Sequence, residues 1–186
     1  MTDHIMSGFL RRQYEEGMAL AADSDLLTLI PLEGDPPQRY IAEYRCTGLT
    51  RTSSGEIAEA NRFAVGIWFP DDYLRHAEPF QVLTWLAPRN VWHPNISSQA
   101  PIVCPGRLVT ATSLVEILWQ IFEIITYNKV TMREDDALNR EACGWARANL
   151  QHFPIDRRPL KRRALEAPAD AAPGPALDFD VVEVPR

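Results

Sequence analysis

The chain has 186 residues, 46% of them hydrophobic, so it can bury one sizeable core and still leave a tail. Its formal net charge of −6 argues against a nucleic-acid partner, because proteins that bind phosphate backbones usually carry a basic face. The three cysteines are widely spaced and match no metal-ligand pattern, and neither a signal peptide nor an apolar run of membrane-spanning length is visible. We therefore expect a cytoplasmic protein with free thiols, no metal, no cofactor and no membrane partner.

The first part of the chain predicts a helix followed by a sheet. Apolar residues near helical spacing indicate an amphipathic helix over residues 5–22. Alternating apolar residues, with turn-forming residues between them, predict strands over residues 26–32, 40–46, 63–69 and 80–86. The stretch from 51 to 59 is expected to be a loop. Four consecutive strands without helices between them suggest an antiparallel meander with later helices on one side, which is an α+β fold.

Two further helices are predicted after the strands. Ser113 and Glu116 match a capping box, and the apolar residues that follow predict a buried core helix. The acidic cluster at residues 134–136 is expected to open a last helix that ends near Gln151, because carboxylates suit a helix N-terminus.

The end of the chain differs in composition. Residues 153–186 are rich in proline and alanine and contain a basic run, so they predict a flexible or loosely docked tail. Within them, residues 177–184 alternate like a strand and could add to a sheet edge. The expected organisation is one catalytic domain over residues 1–152 with a tail over 153–186.

The tripeptide His93-Pro94-Asn95, followed after a short polar stretch by Cys104, offers a thiol and a side-chain amide together. A thiolate is a good nucleophile, and a thioester keeps an acyl group activated for the next acceptor. Prolines and a glycine close to the cysteine indicate a loop, whereas a small buried core residue is the alternative for any cysteine. The combination suits acyl transfer through Cys104.

Asn95 has two roles open to it. Its amide N–H can donate to the oxyanion that forms when an amine attacks a thioester. Its side chain can instead bond to the backbone and hold the cysteine loop in shape. Pro105 has no amide hydrogen, so the backbone after Cys104 offers no oxyanion donor, which favours the first role.

Three motifs follow one another along the chain. A Phe-Pro-x-x-Tyr turn at residues 69–73 comes first, then the His-Pro-Asn tripeptide with Cys104, then the acidic stretch ending in Asn139. In this order they resemble the ubiquitin-conjugating enzymes, over roughly residues 5–150. The resemblance implies the fold of that family: an N-terminal helix, a four-stranded antiparallel meander, then core and C-terminal helices. It also implies that Cys104 accepts a ubiquitin-like modifier from an activating enzyme as a thioester and passes it to a lysine or another acceptor on a target protein.

The resemblance also implies roles for single residues. Asp136 matches an acidic residue that contacts the attacking lysine, although Asp136 or Asp135 could instead be a helix cap. His93 corresponds to a packed structural histidine more often than to a base. Tyr127, Asn128 and Asn139 are expected to line the same groove as Asp136.

The chain also departs from the common eukaryotic pattern. It has no Trp-x-Pro segment after Cys104, and Leu74 stands where a proline is usual. Divergence of this kind with the catalytic motifs retained resembles a bacterial branch, which acts with a ubiquitin-like protein, an activating enzyme and a deconjugating metalloprotease, often in antiphage defence. Two alternatives stand beside this hypothesis: a non-catalytic ubiquitin-like-protein-binding module on the same fold, and an unrelated cysteine hydrolase with His93 as a base beside the sulfur.

Overall fold

The computed structural model describes residues 4–106 and 108–162 and has an α+β architecture. In chain order its elements are α1 (His4–Ala22), β1 (Leu27–Pro31), β2 (Arg39–Tyr44), β3 (Gly48–Arg51), β4 (Ile57–Ala60), β5 (Phe63–Trp68), α2 (Pro79–Val82), β6 (Leu83–Ala87), α3 (Leu114–Ile125), α4 (Arg140–Ala148) and a 3₁₀ turn (Leu150–His152). In these two ranges, no helix has both the length and the apolar character required to cross a membrane.

A four-stranded antiparallel sheet in the order β1-β2-β5-β6 forms the centre of the molecule. The β2–β5 pairing runs without interruption from Arg39 opposite Trp68 to Tyr44 opposite Phe63. Alternate side chains of β5 are buried, as expected for a sheet with one covered face. This confirms the four-stranded antiparallel sheet that the alternating sequence predicts.

Helix α1 packs against α3 and β1. It confirms the amphipathic helix predicted over residues 5–22. The two helices approach closely, since a Cβ at Gly17 would lie 2.7 Å from the Leu114 side chain. The Gln13 Oε1 atom accepts a hydrogen bond from the Leu114 amide at 2.7 Å. Ser113 caps α3 by accepting the Glu116 amide at 3.1 Å, which confirms the predicted start of the core helix.

Two parts of the strand prediction are wrong. The expected loop at 51–59 instead contributes to a separate hairpin of β3 and β4, whose strands are only four residues long and show no alternation of buried and exposed residues. The last strand of the main sheet begins at Leu83 rather than at residue 80. Pro79 starts a single helical turn before it, because proline lacks an N–H and is favoured in the first turn of a helix.

The last helix begins later than the sequence predicts. Asn139 is its N-cap, with the side-chain oxygen accepting the Ala142 amide at 3.0 Å. Asparagine caps a helix as well as aspartate does, and the Asn139 amide is also held by the Pro94 carbonyl at 3.1 Å. The expectation that residues 134–136 open the helix is therefore wrong, and neither aspartate of that cluster is its cap.

The packed part of the chain extends past the expected boundary at residue 152. Leu160 is fully buried, the Asp156 carboxylate accepts the Thr47 amide at 3.1 Å, and the Arg162 amide donates to the Asp23 carbonyl at 2.8 Å. Residues 153–162 thus form a strap across the domain. The strand-like stretch at 177–184 lies outside the described residues.

Replacing Leu160 tests the strap. Leu160→Ala should lower the free energy of unfolding by about 2–5 kcal/mol, because deleting a fully buried side chain leaves a cavity. Urea unfolding measures the change. Ile155→Ala is the matched control, since Ile155 is 50% exposed in the same segment. Equal effects in the two variants would contradict the packing of the strap.

Candidate functional site

The candidate site is a tight return of the chain between β6 and α3. Ile96 and Val103 form an isolated β-bridge, and both side chains are fully buried. The Cys104 amide donates to the Asn95 carbonyl at 2.8 Å, one step beyond that bridge. Buried apolar side chains therefore hold Asn95 and Cys104 opposite each other, as the sequence hypothesis requires.

Cys104 differs from the other two cysteines in its exposure. It is half-buried, whereas Cys46 and Cys143 are 0% exposed. Burial raises the pKa of the Cys46 thiol to about 12, and burial also raises the pKa of the Cys143 thiol. Both remain protonated at neutral pH and out of reach of solvent, so Cys104 is the accessible thiol.

The Asn95 side chain connects the cysteine loop to a second loop, which lies between α3 and α4. Its Nδ2 atom donates to the Cys104 carbonyl at 3.2 Å, and its Oδ1 atom accepts the Thr131 amide at 2.9 Å. The residue is 5% exposed. Of the two roles left open by the sequence, this geometry directly supports the structural one. An amide nitrogen has two hydrogens, so one bond to Cys104 still leaves a donor.

His93 is a packed, neutral histidine. It is 1% exposed, and its ring meets the Tyr127 ring edge-on at a centroid distance of 4.4 Å. The Nδ1 atom accepts the Asn95 amide at 3.0 Å. Burial lowers the pKa of His93 to about 3, so the ring is uncharged at neutral pH. Within the described chain, no hydrogen bond joins a histidine to the Cys104 sulfur.

Lys129 is a residue of the site that the sequence hypothesis missed. Its Nζ atom donates to the Pro105 carbonyl, directly after the cysteine. Gly106 makes room for it: a Cβ there would lie 3.4 Å from Nζ, and the glycine has a φ of +92° that other residues rarely adopt. No motif marks this lysine, because its partner is a backbone carbonyl distant in sequence.

Asp136 lies on the second loop and is exposed. Its carboxylate is 3.3 Å from the Arg133 Nε atom. The neighbouring Asp135 binds the same guanidinium through two hydrogen bonds, at 3.2 and 2.5 Å, and these bonds lower the pKa of Asp135. Among the described residues, no hydrogen bond or ion pair joins Asp136 to Asn95 or Cys104. The structure therefore brings Asn95 and Cys104 together and pairs Asp136 with Arg133 instead.

Neither a scan against protein-family models nor a search of curated proteins finds a match for this chain. The site geometry and the order of the motifs are therefore the indications of its function.

His93 should make the folded protein less stable in acid. Its folded pKa is about 3, whereas a histidine in an unfolded chain titrates near about 6.5. Below about pH 6.5 the unfolded state binds a proton that the folded state excludes, so stability falls by about 1.4 kcal/mol per pH unit toward pH 3. Above about pH 6.5 both states are neutral and the effect vanishes.

Urea unfolding of the wild type and His93→Gln across pH measures this contribution. Between about pH 7.5 and pH 5 the wild type should lose about 2 kcal/mol more than the variant. Parallel pH profiles would contradict a buried neutral histidine.

Proposed function

We propose that this chain is a ubiquitin-like-protein conjugating enzyme that carries its modifier as a thioester on Cys104. The observation that carries the proposal is the pairing of Cys104 with Asn95. One asparagine holds both the amide and the carbonyl of an accessible cysteine, through its backbone and its side chain. Such an arrangement presents a nucleophile at the surface in one conformation, where a protein donor can reach it. The motif order of the ubiquitin-conjugating enzymes supports the same function.

Loading is an exchange between two thioesters. The Cys104 sulfur attacks the carbonyl carbon of the modifier's C-terminal thioester on the activating enzyme. A new carbon–sulfur bond forms, the old one breaks, and the departing sulfur takes up a proton as Cys104 loses one. The two thioesters are similar in energy, so the step requires no strong base. The buried, neutral His93 is not available as a base, and this reaction does not need one.

Discharge forms an amide bond. An amine nitrogen attacks the thioester carbonyl, Cys104 leaves as a thiolate, and the amine proton passes to a base or to water. A free lysine has a pKa near about 10.4, so the amine must be oriented and deprotonated. We assign that role to Asp136, whose exposed pairing with Arg133 is weakened by solvent. The remaining Asn95 N–H is assigned to the oxyanion.

The alternatives are weaker for physical reasons. A cysteine hydrolase requires a histidine that takes the thiol proton, and His93 is buried with its Nδ1 atom already bonded to the Asn95 amide. A non-catalytic binding module has no use for an accessible cysteine held in one conformation. Loading assays decide between this module and the enzyme.

The partners of the enzyme follow from the motif resemblance alone. They are a ubiquitin-like modifier, an activating enzyme and a target protein, with a deconjugating metalloprotease in the same pathway. We place the pathway in the bacterial branch and in antiphage defence, because the chain keeps the cysteine motifs while it lacks the ligase-binding Trp-x-Pro segment.

Incubation with the cognate activating enzyme, the modifier and ATP should give a covalent adduct that thiol reductant removes. Cys104→Ala should abolish the adduct, and Cys104→Ser should give an ester that resists reductant. Non-reducing and reducing gels measure both. Cys46→Ser and Cys143→Ser are the controls, because these thiols are buried and should not be needed. An undiminished thiol-labile adduct on Cys104→Ala would refute the proposal.

Loading and discharge should respond differently to the two polar residues. Asn95→Ala and Asp136→Ala should each load at a near-normal rate, because the backbone bond from the Cys104 amide to the carbonyl of residue 95 does not need either side chain. Each should discharge to free lysine at least ~10-fold more slowly, a loss of roughly 1.4 kcal/mol in transition-state stabilisation. Single-turnover discharge of the purified thioester measures this.

Asp135→Ala is the matched control for Asp136→Ala, because both carboxylates are exposed and bind the same Arg133 guanidinium. It should discharge like the wild type. Slow discharge of Asp135→Ala together with normal discharge of Asp136→Ala would show that Asp135, and not Asp136, acts on the amine. No effect of either would leave the acidic pair without a part in the reaction.

A further inference from the structure

A groove of about 630 Å³ opens beside the cysteine loop. It lies between the β3–β4 hairpin, the segment that leads into His93, and the start of α4. The side chains that matter for its chemistry are Arg51, Arg89, Trp92, Asn139, Arg140 and Glu141. Cys104 does not line the groove, which is therefore separate from the thiol.

The groove is basic although the whole protein is acidic. Its lining contains three arginines and one glutamate, in a chain of net charge −6. Arg51 pairs with Glu141 at 2.7 Å. The side chains of Arg89 and Arg140 form no hydrogen bond or ion pair with the part of the chain that the structure describes. Arg140 is also the first residue of α4, where the helix dipole disfavours a cation, so an anion at this position would be stabilising.

Two buried donors add to this chemistry. The Trp92 Nε1 and Asn139 Nδ2 atoms have no hydrogen-bond partner among the described residues. Trp92 is 7% exposed and Asn139 is 4% exposed, and both residues line the groove. Buried N–H groups without acceptors are unfavourable. The groove thus combines exposed cations with lining residues whose buried donors lack acceptors, which fits a ligand rich in carboxylate oxygens, since carboxylates only accept hydrogen bonds.

The chain itself contains a peptide of this kind. Residues 177–184 include Asp178, Asp180 and Glu183 and no basic residue. In an extended peptide Asp178 and Asp180 lie on one side, roughly 7 Å apart, which suits contacts with two separate guanidinium groups. The 15 residues from 163 to 177 can span about 50 Å when extended. That length is of the same order as the diameter of about 40 Å expected for a domain of this size.

We propose that the groove binds the acidic segment 177–184 of the same chain. The aspartates face the guanidinium groups of Arg89 and Arg140. The proposal does not depend on the thioester function. The Asn139 amide is bonded to the Pro94 carbonyl, so the bound segment lies against a residue that supports the His-Pro-Asn turn.

Paramagnetic relaxation enhancement in the full-length chain tests the proposal. A nitroxide is attached to Val182→Cys in a Cys104→Ala background, where the remaining Cys46 and Cys143 thiols are buried and unreactive. The Trp92 indole signal and the amide signals of groove residues such as Gln99 should lose most of their intensity. Signals from α1 should keep theirs.

Two pairs of substitutions test the charge basis. Asp178→Asn with Asp180→Asn should restore the groove signals, and so should Arg89→Gln with Arg140→Gln. These arginines are exposed and unpaired, so their replacement should not disturb folding. Loss of intensity that persists in the arginine variant, or that spreads evenly over the domain, overturns the proposal.

A mixed sample distinguishes the source of the peptide. Isotope-labelled chain without nitroxide is combined with unlabelled chain that carries it. Loss of signal in this sample would assign the contact to a second copy and overturn binding within one chain. Because the Cys104→Ala background cannot form a thioester, none of these outcomes bears on the conjugating function.

Discussion

The Asn95 amide connects two loops that lie far apart in sequence. It gives a hydrogen to the Cys104 carbonyl at 3.2 Å and takes one from the Thr131 amide at 2.9 Å. A buried amide group is stable only when both of its ends are bonded, so this position of the side chain fixes the two loops relative to each other. Leaving either partner unsatisfied costs about 1–3 kcal/mol, which is why Asn95 affects the shape of the site as well as its chemistry.

The site separates its titratable groups by burial. The pKa of His93 is lowered and the pKa of Tyr127 is raised, both through burial, so each interior group remains neutral. Lys129 donates to the Pro105 carbonyl and is partly exposed, and Arg133 and Asp136 on the second loop are exposed. The buried groups of the site are therefore neutral, and its charged groups lie at the surface.

The sequence predicted the secondary structure correctly where local signals are strong. The period-two pattern of β5 and the capping box at Ser113 both predicted the observed elements. It did not predict structure that depends on contacts between residues distant in sequence. Strands β3 and β4 are short and lack a period-two pattern, and the prolines of residues 153–162 gave no sign that Leu160 is buried. For the site, motif order placed Asn95 beside Cys104, but no local pattern indicates that a carbonyl holds Lys129.

The start of α4 at Asn139 also determines where the acidic turn at residues 134–136 lies. Because Asn139 is the cap, the aspartates lie in a turn before the helix, free of its dipole. There Arg133 holds Asp135 by two hydrogen bonds and Asp136 by one contact at 3.3 Å, so Asp136 is the carboxylate that separates from Arg133 at lower cost, as its proposed role in discharge requires. The same Asn139 bonds to Pro94 and lines the basic groove. One capping residue thus joins the acidic turn, the His-Pro-Asn turn and the groove.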